Sequence, residues 1–257
     1  MQDKDQRFEV IIVGGGLVGA TTACALAHAG VKVALLDMFN PQRQWTDDSV
    51  DLRVSALTKA SQNILEVLGV WEGMEQRGVS AYKDMRVWDA KADGELHFDC
   101  ADTAFNELGH IVENRVTVAA LWDKLESLES ATCISDAKVS QMQLIDEGRA
   151  LILEDGRRFT AELIIAADGR ESSLRSMVGI DVTGWPYNQD GLVATITTEK
   201  SHQQTAWQRF LDEGPLAFLP LNTGQCSIVW TLKSETAKAY MQLSDEAFLE
   251  KLEQASG

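Results

Sequence analysis

Basic residues are in short supply in this sequence. Its 257 residues hold 23 Lys+Arg against 39 Asp+Glu, a formal net charge of −16. Such a chain lacks the basic face that displaces phosphate counterions, which excludes nucleic acid as the main partner. It equally lacks the Lys and Arg clusters that adhere to an anionic membrane. Paired cysteines are missing too. Cys24, Cys100, Cys133 and Cys226 form neither a C-x-x-C pair nor metal-finger spacing, so buried thiols in a reducing compartment are expected, and no metal site. The start of the chain, Met1–Arg7, holds two acids and lacks the basic lead-in of a secretory signal. There is no internal repeat and no low-complexity segment. One run without formal charge, Val10–Val31, is long enough to span a bilayer on paper. Five glycines, two threonines and His28 interrupt it, so it reads as a strand, a turn and a helix.

That run carries the strongest signal present. Phe8–Val13 is a short β-branched stretch of the kind that forms a buried parallel strand. It leads into Gly14-Gly-Gly16-Leu-Val-Gly19, a G-x-G-x-x-G match, followed by a helix expected over Thr21–Ala29 and closed by Gly30. Val31–Leu36 reads as a second strand with Asp37 at its carboxyl end. The order has a chemical reason. Gly14 permits the tight turn, Gly16 lets a pyrophosphate approach the backbone, and Gly19 lets helix and strand pack closely. The phosphates then meet unpaired amides and the positive end of the helix dipole. Asp37 can accept hydrogen bonds from a ribose hydroxyl. The motif marks dinucleotide binding without separating NAD from FAD.

Regular strand–helix alternation stops after Asp37. A polar stretch, Asn40–Asp48, leads to Asp51–Leu57, and a helix is expected with Leu57, Ala60, Ile64 and Leu68 on its buried face and Gly69 at its end. Two strands flank the Asp93-Gly94 turn, and a second helix aligns Val118, Leu121, Trp122, Leu125 and Leu128. A hairpin turning at Asp155-Gly156 runs into Leu163–Gly169, a buried strand ending in an acid and a glycine. Beyond Thr183 come short strands at 191–197, 205–210, 216–219 and 226–231, the pattern of a mainly antiparallel second domain.

Taken together, G-G-G-L-V-G, Arg53 in L-R-V-S-A-L, H-I-V-E-N at 110–114 and A-A-D-G at 166–169 resemble the single-component FAD-dependent aromatic hydroxylases. Within these, Leu68–Trp71, Gly109–Asn114, Trp185–Tyr187, Leu192–Ile196, Ala217–Leu221 and Ser227–Trp230 resemble the ubiquinone-biosynthesis hydroxylases. The resemblance implies an α/β fold: a Rossmann-like FAD-binding domain, residues 1–75 with 105–182, and an inserted, mainly antiparallel β-sheet substrate domain, residues 76–104 with 183–257. It implies FAD bound through Gly14, Gly16, Gly19 and Asp37, with Arg53, Asn114, Asp168, Gly169 and Arg175 as further cofactor-binding residues. On the residues alone, Arg53 also reads as a surface partner of Asp51 or Asp48, Asn114 as a helix cap, and Asp168-Gly169 as a strand-end turn. Arg175 is assigned to a pyridine-nucleotide phosphate.

The implied chemistry is hydroxylation of a polyprenylated phenol with O₂ and NAD(P)H. Only one dinucleotide motif is present, so NAD(P)H is expected to bind transiently. No side chain is assigned as catalytic, and His97, His110 and His202 read as ordinary satisfied or solvated histidines. An apolar tail needs a hydrophobic groove, and Trp185, Tyr187, Trp207, Phe210, Phe218 and Trp230 are candidates to line one or to fill the sheet core. A cytoplasmic location peripheral to the inner membrane is expected, with association with other ubiquinone-biosynthesis proteins. The resemblance also implies a later G-D motif that closes over the flavin. None follows Gln189, so the 257-residue form is expected to be incomplete, to bind FAD weakly and to turn over poorly. Two alternatives stand beside this reading: a non-catalytic binding module, and an NAD-dependent Rossmann oxidoreductase.

Overall fold

The computed structural model describes residues 6–46 and 49–257. The charged start, Met1–Asp5, and Asp48, named above as a partner for Arg53, lie outside the described residues. In chain order the first elements are β1 (Gln6–Val13), α1 (Leu17–His28), β2 (Val33–Leu36), β3 (Val54–Thr58), α2 (Lys59–Val67) and α3 (Trp71–Glu75). Then come β4 (Ser80–Tyr82), β5 (Asp84–Asp89), β6 (Glu95–Asp99), β7 (Gly109–Glu113), α4 (Asn114–Glu126) and β8 (Ala131–Ile134). A meander of β9 (Val139–Ile145), β10 (Gly148–Leu153) and β11 (Arg158–Ala166) precedes α5 (Ser173–Met177). The chain finishes with β12 (Gln189–Ile196), β13 (Thr205–Leu211), β14 (Gly214–Pro220), β15 (Cys226–Lys233), α6 (Ser234–Tyr240) and α7 (Asp245–Ser256).

These elements form two compact units, residues 1–46, 63–77 and 114–183, and residues 47–62, 78–113 and 184–257. The boundaries differ from those expected. Residues 47–62 and 105–113 fall in the second unit because β3 pairs antiparallel with β7, Val54 opposite Glu113, and β4 pairs with the other side of β7.

The first unit is built on a six-stranded sheet in the order β8-β2-β1-β11-β10-β9. Its four strands β8, β2, β1 and β11 are parallel, and β10 and β9 continue the sheet antiparallel. Ile11, Ile12, Val33 and Leu36 have no exposed surface, as the continuous apolar run of β1 requires of a parallel strand covered on both faces. Helix α1 begins four residues earlier than expected, because Gly16 is already its N-cap, and β2 starts at Val33 rather than Val31.

The second unit holds a sheet in the order β12-β15-β14-β13-β5-β6, antiparallel except where β13 runs parallel to β5. Leu192, Leu216, Trp230 and Leu232 on one face pack with Ala237 of α6 and Leu252 of α7. On the opposite face one cross-strand row reads Val193, Val229, Ala217, Gln208, Val87, Leu96. The aromatic candidates divide accordingly: Trp230 is buried, Trp207 and Phe218 are half-buried, and Trp185, Tyr187 and Phe210 are exposed.

Two local expectations are corrected. Leu57 belongs to β3 rather than to the following helix, where Leu65 and Leu68 are buried while Ile64 is exposed. The edge-strand pairing of β3 claims Leu57, which turns the helix face by one residue. Of the four cysteines only Cys24 and Cys226 are buried; Cys100 and Cys133 are half-buried.

Candidate functional site

The site is assembled at the carboxyl ends of β1 and β2, where ligands bind in parallel α/β sheets. Gly14 leaves β1 with φ +106°, and a Cβ there would lie 2.2 Å from the Ala167 carbonyl oxygen. A Cβ on Gly19 would lie 1.8 Å from the Gly14 carbonyl oxygen. Both glycines are therefore demanded by backbone contact, the turn at Gly14 and the helix–strand packing at Gly19. Gly16 is different. It is exposed, and no atom lies within 4 Å of where its Cβ would be.

Helix α1 starts at this open position with no side-chain cap and no acid in its first turn. The first amides of a helix have no partner inside it, and here no side chain takes their place. The amide-rich loop, the helix dipole and the empty space over Gly16 fit the pyrophosphate of a dinucleotide. Val18, in the same turn, is 73% exposed.

Asp37 closes the loop from the other side. Its Oδ2 accepts the Gly15 amide at 2.5 Å and its Oδ1 accepts the Phe39 amide at 2.8 Å. Two oxygens offer about four acceptor positions, so the carboxylate keeps capacity for a ribose hydroxyl. Gly15 is also held at its carbonyl, which accepts the indole Nε1–H of Trp122 at 2.9 Å. A Cβ on Gly15 would lie 2.5 Å from Trp122 Cζ2. Neither Gly15 nor the indole N–H was assigned from sequence. The helical period places Trp122 on the buried stripe of α4 without showing which atom its N–H meets.

Asn114 opens that same helix, about two turns before Trp122. The polar stretch after Asp37 lies along α4: the Arg43 guanidinium pairs with Glu126 at 2.5 Å and Asp123 at 3.3 Å. Arg115 sits 4.4 Å from the Trp45 ring centroid. The hydrogen bond to Arg43 comes first among the causes that hold the Glu126 carboxyl below its usual range.

Asp168 and Gly169 follow Ala167, whose amide donates to the Val13 carbonyl at 2.7 Å, so they stand beside the glycine loop. Asp168 is occupied locally. Its Oδ1 accepts Ser172 Oγ at 2.5 Å, and its Oδ2 accepts the amides of Ser173 and Leu174 at 2.8 and 3.2 Å. Burial pushes this carboxyl up, but the bonds from Ser172, Leu174 and Ser173 outweigh it and leave it below the usual carboxylate range. Asp168 thus orders the entry to α5. Arg175 lines a cavity of about 620 Å³ together with Asp168, Gly169, Arg149, Leu163 and Ile164.

The first unit therefore brings together Gly14, Gly16, Gly19 and Asp37 around one open loop, with Asp168 and Gly169 adjacent. Arg53 belongs to the second unit, where it is exposed and its amide donates to Asp51 Oδ1 at 3.3 Å. In that unit His97 Nε2 lies 2.7 Å from Asp84 Oδ1, and His202 Nε2 lies 3.1 Å from the Leu221 carbonyl. No helix among the described residues is long and apolar enough to cross a membrane.

Several known proteins are similar to this chain. The chain is 36% identical over 255 residues to the ubiquinone hydroxylase UbiL of Rhodospirillum rubrum, covering 98% of this chain and 58% of that one. It is 34% identical over 226 residues to the 3-demethoxyubiquinol 3-hydroxylase of Escherichia coli, covering 88% and 58%. The human mitochondrial ubiquinone biosynthesis monooxygenase COQ6 is 33% identical over 266 residues, covering 98% and 56%. The chain thus spans little more than half the length of the curated relatives it matches. Among solved structures, PqsL from P. aeruginosa superposes with a TM-score of 0.77 at 20% identity, covering 92% of this chain and 63% of that one. The p-nitrophenol 4-monooxygenase PnpA of Pseudomonas putida gives 0.73 at 17% identity, covering 96% and 62%. Residues 7–257 match the family described as FAD binding domain, and the chain, an α/β protein with a Rossmann-like nucleotide unit, belongs to that family.

Proposed function

We propose that this chain forms the flavin-binding and substrate-facing part of an aromatic hydroxylase that acts on a polyprenylated phenol of ubiquinone biosynthesis, with NAD(P)H and O₂ as co-substrates. The observation that carries this reading is the set of ubiquinone hydroxylases at 31–36% identity over 88% or more of this chain. FAD, when bound, supplies the redox chemistry that activates O₂.

The residues have separate tasks. The amides around Gly16 and the start of α1 hold the pyrophosphate, and Asp37 holds the adenosine ribose. Trp122 and Asp37 fix Gly15 so that those amides converge before the cofactor arrives. Asn114, Asp168 and Gly169 serve the flavin side, and Arg175 a pyridine-nucleotide phosphate. In this reading the first unit is the FAD-binding domain and the second the substrate domain. The sheet face bearing Val193, Phe210, Leu96 and Phe98, each 39% exposed or more, supplies apolar surface for a prenyl tail. Work in the cytoplasm at the inner-membrane surface, alongside other enzymes of the same route, follows from so apolar a substrate.

Titration of the purified chain with FAD and with riboflavin, followed by flavin fluorescence, tests the reading. Binding of FAD and not of riboflavin is expected, because the ADP half meets the glycine loop. Both the FAD affinity and the oxidation of NAD(P)H stimulated by a short-chain prenylphenol are expected to be low for residues 1–257. A stable chain with no flavin affinity is a non-catalytic binding module; nicotinamide binding without flavin affinity makes it an NAD-dependent oxidoreductase.

A further inference from the structure

Strands β5 and β6 bring two carboxylates and an imidazole onto one face of the second unit's sheet. Asp84 stands directly opposite Asp99, and His97 stands opposite Arg86. Residues two apart on a strand share a face, so these four side chains project the same way. One ligand atom from each of Asp84, His97 and Asp99 lies within 4.8 Å of the other two. The register carries their face on to Trp207, Phe218 and Ile228. It is the reverse of the face that bears Val193 and Leu96.

Two carboxylates opposed across an antiparallel pair repel each other. The cation beside them in the register, Arg86, does not relieve them. Its guanidinium pairs with Glu95 at 3.0 Å and lies over the Trp207 ring, 5.6 Å from the centroid. What meets Asp84 instead is the His97 imidazole, Nε2 to Oδ1 at 2.7 Å. Asp99 is oriented from its own chain, because its Oδ1 accepts the Ala101 amide at 2.8 Å. That bond fixes the carboxylate and leaves Oδ2 for a ligand. The side chains of Asp84 and His97 are 30% and 37% exposed, so the groups are held on paired strands and stay within reach of solvent.

Around a tetrahedral ion bonded at about 2.0–2.2 Å, neighbouring ligand atoms stand roughly 3.3–3.6 Å apart. The separations here are 2.7 Å for one pair and at most 4.8 Å for the others, so side-chain rotation alone can admit the ion. One imidazole with two carboxylates suits Zn²⁺ and its first-row neighbours, whereas Mg²⁺ and Ca²⁺ favour oxygen alone. Two carboxylates also cancel the double charge of the ion.

We propose that Asp84, His97 and Asp99 form a binding site for a divalent transition-metal ion, represented by Zn²⁺, which clamps the edge strand β6 to β5. Among the described residues β5 is the only sheet neighbour of β6, and an ion bridging the two strands replaces a repulsion with bonds. Cysteine spacing gives no hint of such a site, because these three residues meet only through the register of the hairpin. The site lies wholly within the second unit and is independent of flavin and of the choice of substrate.

Calorimetric titration of the EDTA-stripped, desalted chain with ZnCl₂, together with hydrogen–deuterium exchange, tests the site. A single saturable site is expected. With free Zn²⁺ at about ten times its dissociation constant, exchange across 84–89 and 95–99 should slow about tenfold. His97→Ala changes a side chain reachable from solvent and should weaken Zn²⁺ binding about a hundredfold or more. Asp99→Asn should abolish the protection by Zn²⁺ and leave the metal-free chain no less stable, since it removes one of two opposed charges. Absence of Zn²⁺ binding, unchanged binding in both variants, or protection confined to other segments overturns the proposal. So does Mg²⁺ matching Zn²⁺ in affinity, which would mark an acidic surface that attracts any divalent ion.

Discussion

The indole N–H of Trp122 donates to the carbonyl of Gly15, 107 residues earlier, across 2.9 Å of buried structure. This bond ties the middle of the glycine loop to α4, so the loop's shape depends on a helix that carries no part of the dinucleotide motif. Trp122→Phe keeps the aromatic bulk and removes the donor. Leaving a buried carbonyl unpaired costs about 1–3 kcal/mol, and urea denaturation should show a loss of that size with weaker FAD binding. An unchanged midpoint would mean that the loop holds its shape without α4.

Substitution at the glycines separates folding from binding. Gly16→Ser places a Cβ in open space and adds a hydroxyl suited to capping α1, so thermal stability should stay level or rise slightly. The same Cβ occupies the space over the amides, so FAD affinity should fall about tenfold or more. Gly19→Ala drives a Cβ into the Gly14 carbonyl, and should destabilise the chain itself by several kcal/mol, as overpacking against backbone does (about 1–3 or more). Equal thermal losses in both variants would contradict the open cradle.

The Asp168 carboxyl sits below its ordinary value of 3.8 in the folded chain. Its contribution to stability is therefore complete above that ordinary value and is lost as pH falls through the lower, folded one. Asp168→Asn halves the acceptor capacity for Ser172, Ser173 and Leu174. Because the group is largely open to water, screening limits the loss to about 1 kcal/mol at neutral pH. Unfolding curves of the two proteins should converge in strong acid. A gap that persists there would show that shape, rather than charge, sets the difference.

Thiol chemistry reports on the α1–α4 packing. Burial pushes Cys24 up to about 12 and Cys133 up to about 11, from an ordinary 9.0. At pH 8 the Cys24 thiolate is thus about a thousandfold scarcer than that of an ordinary thiol. Iodoacetamide followed by peptide mapping should label Cys100, which is half-buried, well before Cys24. Labelling of both at one rate would reveal an α1 that opens readily.

The first part of the site was legible because glycines announce themselves: Gly14, Gly16, Gly19 and Asp37 are spaced by local backbone geometry, and local geometry repeats in sequence. The antiparallel character of the second sheet was legible for the same reason, since hairpins are signalled by turns such as Asp93-Gly94 between β5 and β6. What stayed hidden depended on distant partners. Leu57 was read into a helix because its pairing with His110 across β3 and β7 leaves no local trace. Trp122 looked like ordinary core, and the bonds of Asp168 to Ser172, Ser173 and Leu174 leave no trace in the A-A-D-G string.

The way the two sheets are threaded has a consequence for how the protein is made. Gln6 of β1 pairs with Phe159, and Asp84 of β5 pairs with Thr205. On the ribosome the β5–β6 hairpin, complete at Asp99, must wait for roughly 110 further residues before its parallel partner, starting at Thr205, emerges, about 5 to 22 s at ordinary elongation rates. Throughout that interval Leu96 and Phe98 have no sheet to join. A slowed or paused ribosome anywhere in the β9–β12 region lengthens this exposure, so the yield of native protein should respond to codon choice there more strongly than to codon choice after β15.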